Sequence, residues 1–338
     1  MPLKTEFQSK LPLRFDENGR FRILIISDMH HAPDTGLKVI DDIERLIRFS
    51  KPDFVLMGGD NTTGKSEKSQ FELLLSQIAA PMETRGIPWA HVFGNHDISK
   101  GLSKAYQQSV YETYQYCVSK AGPRKLTGVG NWFLPVMNAH DEVRFGIWGL
   151  DSLQDFKTQD RPVPGLDNPY WELLMPANIN GGSDSDFVHL DQIEWYIKSS
   201  RAVEKQCGHK VPSIMMLHIP LPEFNAIVRN PGRTGFTGEY NEKVSCSELN
   251  SGLFAALLQR GDVKAVFAGH DHINTFEGTY CGIRLGYAGS VGDHGYGARA
   301  FDPANDRERL RGGRICDVFD CNTIKINTNM VMLNEIPY

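Results

Sequence analysis

Two histidines flank an aspartate in Gly269–His272, "GHDH", directly after the apolar run Val263–Ala268. The same arrangement, with ligand-type side chains where an apolar run ends, recurs along the chain. Phe21–Ile26 leads into Asp28 and His30, Phe54–Met57 into Asp60, Ile87–Phe93 into Asn95, His96 and Asp97, and Ser213–Leu217 into His218. A single histidine at a strand end is usually structural, but five such blocks point to a shared task. In extended backbone, residues i and i+2 face the same side, so Asp28 with His30 and His270 with His272 should each form a two-pronged clamp. Asp28, His30, Asp60, Asn95, His218, His270 and His272 together are more ligands than one ion needs. Mixed nitrogen and oxygen donors suit manganese, iron or zinc rather than calcium or thiolate-seeking metals. Two divalent or mixed-valence ions about 3.5–4 Å apart, sharing one carboxylate and a water-derived hydroxide, would use all seven groups, with Asp60 as the bridge, and would suit phosphoester hydrolysis.

For these groups to meet, the runs that carry them must lie side by side. Phe21–Ile26, Phe54–Asp60 and Ile87–Phe93 are short and continuously apolar, as strands buried on both faces are. Between them, Thr35–Ser50 and roughly 66–80 show helical spacing, Pro52 closing the first helix. That rhythm implies right-handed crossovers and parallel strands whose carboxyl ends converge on one crevice. Beyond it the sequence predicts a helix over Ser103–Lys120, an antiparallel hairpin from Trp132–Val136 and Val143–Trp148, and a helix over Val188–Cys207. A helix around Glu248–Arg260 follows, and then antiparallel strands over Gly282–Tyr287 and Ile315–Leu333 within a C-terminal block of about 281–334. The stretch 153–187, rich in Pro, Asn, Gly and Asp without periodicity, reads as an irregular insertion into a single domain spanning 1–338.

Asp28-Met29-His30, Gly59-Asp60, Gly94–Asp97, His218 and Gly269–His272 follow one another in an order that resembles the calcineurin-like metallophosphoesterase superfamily. The flanking text "WAHVFGNHD", "MLHIPLPEF" and "FAGHDHINTF" is similar to its intracellular, purple-acid-phosphatase-like branch. The resemblance implies an α/β fold, a four-layer αββα sandwich with two mixed sheets. It also implies one ion held by Asp28, His30, Asp60 and His272 and a second by Asp60, Asn95, His218 and His270. His96 falls on the family's catalytic histidine, near the leaving-group oxygen, with Asp97 as its orienting partner. Two departures narrow the branch. Thr63 stands where coloured relatives carry a ligand tyrosine, so a colourless protein is expected. "GDNTTGKSEK" also lacks the arginine of the Ser/Thr phosphatases. The expected activity is phosphomonoesterase, with phosphodiesterase (cyclic nucleotide, nucleic-acid or glycerophosphodiester type) as the alternative and a non-catalytic scaffold as the rival.

The bulk numbers agree with a globular enzyme. The chain has 338 residues, 41% hydrophobic and 23% charged, with a formal charge of -5. That charge provides no general field for nucleic acid or a membrane surface. A phosphate ester must be attracted locally, and two divalent ions against two carboxylates and a hydroxide leave about +1 at the site. No apolar stretch reaches the roughly 18 residues of a membrane span, and Met1–Lys10 lacks a signal-peptide core, so cytoplasmic residence is expected. Six cysteines without a CxxC are read as free thiols, Cys316 and Cys321 being the pair to check. The oligomeric state has no signature. His31 is left out of the ligand set, His91 is assigned to packing, and His140, His189 and His209 to the surface. The glycine-rich Gly289–Phe301 is expected to form a rim; there His294, Tyr296 and Arg299, with Arg233 from the loop after His218, are the candidate substrate contacts.

Overall fold

The computed structural model describes residues 5–63, 67–97, 102–154, 185–294 and 309–337. Twelve strands are described: β1 (Leu13–Arg14), β2 (Arg20–Ile26), β3 (Phe54–Met57), β4 (Trp89–His91), β5 (Trp132–Met137), β6 (Val143–Gly149), β7 (Ser213–Met216), β8 (Val263–Ala268), β9 (Glu277–Tyr280), β10 (Ile283–Tyr287), β11 (Gly312–Phe319) and β12 (Lys325–Met332). They form a five-stranded sheet ordered β12-β11-β2-β3-β4 and a seven-stranded sheet ordered β1-β5-β6-β7-β8-β10-β9. Both are mixed. β2, β3 and β4 run parallel while β11 and β12 are antiparallel; β6, β7, β8 and β10 run parallel while β5 opposes β6.

The continuous apolar runs are explained by where their two faces go. Ile23, Ile25, Phe54 and Leu56 fill the space between the sheets, meeting Phe145, Ile147, Ile214, Met216 and Phe267. The alternate residues Leu24, Ile26, Val55 and Met57 face outward onto Ile43, Ile47, Phe71 and Ile78, which belong to the helices Lys38–Ser50 and Lys68–Glu83. On the other side Trp148, Met215, Leu217 and Val266 pack on Ile193, Tyr196 and Leu257, from the helices Leu190–Cys207 and Leu253–Arg260. The layers are therefore helix, sheet, sheet, helix, which is the expected αββα sandwich.

Several local expectations are corrected. The helix expected over 103–120 ends at Tyr111, because the backbone of 116–118 pairs instead with β4: Trp89 donates to the Tyr116 carbonyl at 3.0 Å and Val118 donates to that of Trp89 at 2.8 Å. The helix Lys68–Glu83 continues through Pro81, and the last major helix begins at Leu253 rather than near Glu248. β10 is not in an antiparallel tail alone but lies parallel to β8, with β9, an unanticipated strand, on its other edge. His189 is buried rather than at the surface, its Nε2 3.1 Å from the Asp186 carboxylate and its ring stacked on Phe187. His140 and His209 are exposed. All six cysteines are free, Cys316 buried in β11 and Cys321 exposed. Most of the expected insertion, 155–184, lies outside the described residues. No described helix is long and apolar enough to cross a membrane.

His91 packs as expected. It is fully buried, its ring stacked on Tyr111 with centroids 3.4 Å apart and its Nδ1 2.8 Å from the Ser119 hydroxyl. Burial pushes this imidazole down from 6.5 to about 3. Between those values the unfolded chain takes up a proton that the folded chain refuses, so stability falls as the pH drops below 6.5, by at most about 1.4 kcal/mol per pH unit. In urea titrations between pH 6.5 and 5, His91→Leu should show a shallower pH dependence than the parent; equal slopes would contradict this assignment.

Candidate metal centre

All seven candidate ligands sit where strands leave the two sheets at one end. Asp28 and His30 follow β2, Asp60 follows β3 and Asn95 follows β4; His218 follows β7, and His270 and His272 follow β8. The main chain that presents them is not extended. Asp28, His30, Asp60 and His270 have φ values of 54°, 47°, 50° and 76°, a left-handed conformation that costs a residue with a Cβ of order 1–3 kcal/mol. Backbone hydrogen bonds fix the turns: Asp28 donates to the Gly59 carbonyl at 3.0 Å and His30 to that of Asp60 at 2.9 Å. The clamp expected from strand periodicity is thereby corrected. Asp28 and His30 converge because the chain turns, and His270 and His272 go to different groups rather than pinching one ion.

Donor atoms of Asp28, His30 and His272 all lie within 4.8 Å of one another, as do those of Asp60, His218 and His270. Asp60 links the two groups: its Oδ2 is 3.5 Å from His30 Nε2 and 3.2 Å from His218 Nε2, while its Oδ1 accepts the main-chain N–H of His96 at 2.7 Å. Asn95 Oδ1 lies 3.1 Å from His218 Nε2, joining the second group. In the first group His30 Nε2 and His272 Nε2 are 3.1 Å apart, and His272 Nε2 is 3.4 Å from Asp28 Oδ1. His218 Nδ1 donates to the Gly58 carbonyl at 2.8 Å, which turns Nε2 toward the carboxylates. Two glycines are required by this closeness. A Cβ at Gly94 would overlap the Asp60 carboxylate and amide nitrogen, and one at Gly59 would overlap the His218 ring.

Asp28 and Asp60 are each 1% exposed. Burial alone would raise the Asp28 carboxyl, but the charges of His218 and His272 outweigh it and hold it at about 2. Asp60 is likewise drawn well below its ordinary value, burial being outweighed by His218, His30 and His96. Burial would lower His218, yet Asp60 and Asp28 push it up to about 10. His30 and His270 fall to about 4, chiefly through burial. Two ionised carboxylates and several imidazoles converging in a buried end of the sheets are a donor set for cations. The residues present therefore fit a pair of metal ions.

His96 is exposed at the edge of this cluster, its ring edge-on to His30 with centroids 5.1 Å apart. The expectation that Asp97 orients the His96 ring is corrected by its contacts. The buried Asp97 carboxylate accepts the main-chain N–H groups of Thr62 and Gly94, each at 2.9 Å, and the Asn61 amide at 3.4 Å; it ties the turn after β3 to the turn after β4. His31 is engaged by Gln77 at 2.7 Å and Thr35 at 3.1 Å, outside both groups. Of the candidate substrate contacts, Arg233 is exposed on the short helix Pro231–Thr234, and its guanidinium makes no hydrogen bond or ion pair among the described residues. His294 is held by Asp293 at 2.6 Å, two residues beyond Gly292, whose N–H donates to the Asp28 carbonyl at 3.1 Å. Tyr296 and Arg299 lie outside the described residues. Sequence reasoning missed Ser152, whose hydroxyl accepts the N–H groups of His218 and Ile219 at 3.2 and 2.9 Å; nothing in its context distinguishes it. It also missed Asp271, which turns away from the ligands flanking it to take the Tyr287 hydroxyl and the Ser245 N–H.

Residues 21–274 match the family model described as calcineurin-like phosphoesterase. The Arabidopsis thaliana protein named "Probable inactive purple acid phosphatase 14" is 31% identical over 319 residues, covering 84% of this chain and 74% of its own length. Phosphatase DCR2 of Saccharomyces cerevisiae is 27% identical over 289 residues, covering 78% of this chain and 46% of its own. Among solved structures, a dimetal phosphatase from Danio rerio shares the fold at a TM-score of 0.58 and 12% identity, over 93% of this chain and 98% of its own. A purple acid phosphatase from yellow lupin seeds does so at 0.50 and 14%, over 94% and 52%.

Proposed function

The chain belongs to the calcineurin-like phosphoesterase family, and from that premise we propose that it is a two-metal hydrolase of phosphate monoesters. The observation that carries the proposal is the position of Asp60, whose Oδ2 faces both ligand groups, 3.5 Å from His30 and 3.2 Å from His218. Manganese, iron or zinc ions bound there would supply Lewis acidity and an acidified water at neutral pH. The chain's own part is orientation. The Gly58 carbonyl fixes His218, the Asp97 carboxylate fixes the two turns around Asp60, and the Asp60 Oδ1 contact holds the main chain of His96. That leaves the exposed His96 ring, 5.1 Å from that of His30, as the proton donor to the leaving oxygen.

The test is to load the protein separately with manganese, iron and zinc, count ions per chain, and compare p-nitrophenyl phosphate with its bis ester. Two ions per chain and preference for the monoester are expected. A diester preference of orders of magnitude would make the protein a phosphodiesterase. The word "inactive" in the Arabidopsis relative's name favours a second reading, a scaffold that retains the fold; fewer than one ion per chain after loading would establish it. His96→Ala should keep both ions while turnover falls about 10²-fold, most for poor leaving groups. If turnover is unchanged with a poor leaving group, His96 is not the proton donor.

A further inference from the structure

A second cleft lies at the opposite end of the seven-stranded sheet. It is a cavity of about 590 Å³ where the amino ends of β7, β8 and β10 face the turn between β11 and β12, and its cationic side chains are Arg144, Lys210, Lys264 and Arg284. No carboxylate lines it. In a chain of formal charge -5 this is a local excess of the opposite sign. Three nearby carboxylates are each held by an arginine, while Asp141 and Glu142 line an adjoining cavity on the Arg144 side, away from Lys264 and Arg284. Asp320 takes Arg144 at 3.0 Å, Glu277 takes Arg314 at 2.9 Å, and Glu204 takes Arg260 at 2.6 Å.

The remaining cations are left over. Arg284 is 3.9 Å from the Glu277 oxygen that Arg314 already holds and otherwise donates to the Thr328 hydroxyl at 2.8 Å. Lys264 reaches only the Gly261 carbonyl at 2.9 Å. Lys210 makes no hydrogen bond or ion pair among the described residues, although Glu204 is close enough to feel its charge. Like charges line one cavity here with no carboxylate among its lining residues, an arrangement relieved by a multiply charged anion. The volume falls in the ordinary range of small-molecule sites, about 300–1,000 Å³.

We propose that this cleft binds a small molecule carrying two or more adjacent phosphates, held by Lys210, Lys264 and Arg284. The site is independent of the proposed hydrolytic centre. β8 runs from Lys264 in the cleft toward His270 at the other end, so the two are separated by roughly 20 Å, the length of a six-residue strand. A ligand bound here is not a substrate in place for hydrolysis.

The test uses the full chain stripped of metal with a chelator and dialysed, so that the carboxylate–histidine cluster offers no ion to an anion. Isothermal calorimetry with inorganic pyrophosphate should give a submillimolar Kd, weakening as salt is raised, and orthophosphate should bind about tenfold more weakly. Lys210→Glu combined with Lys264→Glu, both exposed positions, should lose at least about tenfold in affinity. Lys68→Glu combined with Lys198→Glu, which changes net charge equally at distant exposed positions, should not. Absence of pyrophosphate binding overturns the proposal, as does equal loss in both double variants, which would mark a general charge effect. Hydrolytic activity plays no part in these readouts, so failure here leaves the proposed function standing and the reverse also holds.

Discussion

Asp60→Asn is expected to abolish tight binding of both ions and to lower monoester turnover by about 10³-fold or more. The side chain is 1% exposed and its Oδ2 approaches both ligand groups, 3.2 Å from His218, where Asp28 Oδ1 comes only within 3.9 Å of that ring. An amide of the same shape keeps the Oδ1 contact with the His96 N–H but removes the negative charge shared between the groups. Each ion then loses an anionic ligand, and a loss of about 4 kcal/mol in transition-state stabilisation corresponds to that rate factor. Stability gives a second readout. Metal loading should raise the Tm of the parent through linkage, whereas the variant's Tm should not respond. Two retained ions, or turnover within tenfold of the parent, would remove Asp60 from the centre of the scheme.

Arg311→Met is expected to cost about 3–5 kcal/mol in unfolding free energy, measured by denaturant titration. Arg311 is 1% exposed at the edge of β11, and its guanidinium does two jobs. Nη2 reaches Asp42 on the helix Lys38–Ser50 at 2.5 Å, and Nε donates to the carbonyls of Val291 and Gly292, each at 3.1 Å. The variant leaves two buried carbonyls without a donor, and Asp42 keeps only Lys38 at 3.0 Å and Arg45 at 3.1 Å. Damage should spread to the metal centre. Residues 290–292 rest on the turn after β2, with the Ser290 hydroxyl donating to the Asp28 carbonyl at 3.2 Å and the Gly292 N–H to the same carbonyl at 3.1 Å. Ion affinity should therefore fall along with stability, and Arg311→Lys should restore only part of each because a point charge does not replace the guanidinium fork. A cost below about 1 kcal/mol would show the network to be incidental.

What the sequence revealed and what it hid have separable physical causes. The strands that matter were legible because burial on both faces forces an unbroken apolar run, so a carboxylate or imidazole at its end stands out. Phe21–Ile26 leading into Asp28, and Val263–Ala268 leading into His270, are cases of this. The conformation of the ends was not legible. A left-handed φ at Asp28 or Asp60 is stabilised by hydrogen bonds between neighbouring turns, and the mild tolerance of aspartate for that region is too weak a signal to announce it. β1 has two residues and β9 is "EGTY", too short or too polar to show a period, and each exists because a neighbouring strand offers an edge. Arg311 was invisible for a related reason: a buried arginine at a strand edge looks like surface charge until its carboxylate and carbonyl partners are in place.

The candidate ligands divide unevenly along the chain. Asp28, His30, Asp60 and Asn95 leave the five-stranded sheet, whereas His218, His270 and His272 leave the seven-stranded one. A ribosome releases the first four long before the last three. At about 5–20 residues per second, the interval between Asn95 and His272 is roughly 10–35 s. Until His218 is made, the nascent chain offers from this set only two aspartates, one histidine and an amide. Even then β11, which borders β2, has still to be made. In the proposed two-metal centre, capture of ions in the final geometry would therefore be a late event that follows translation.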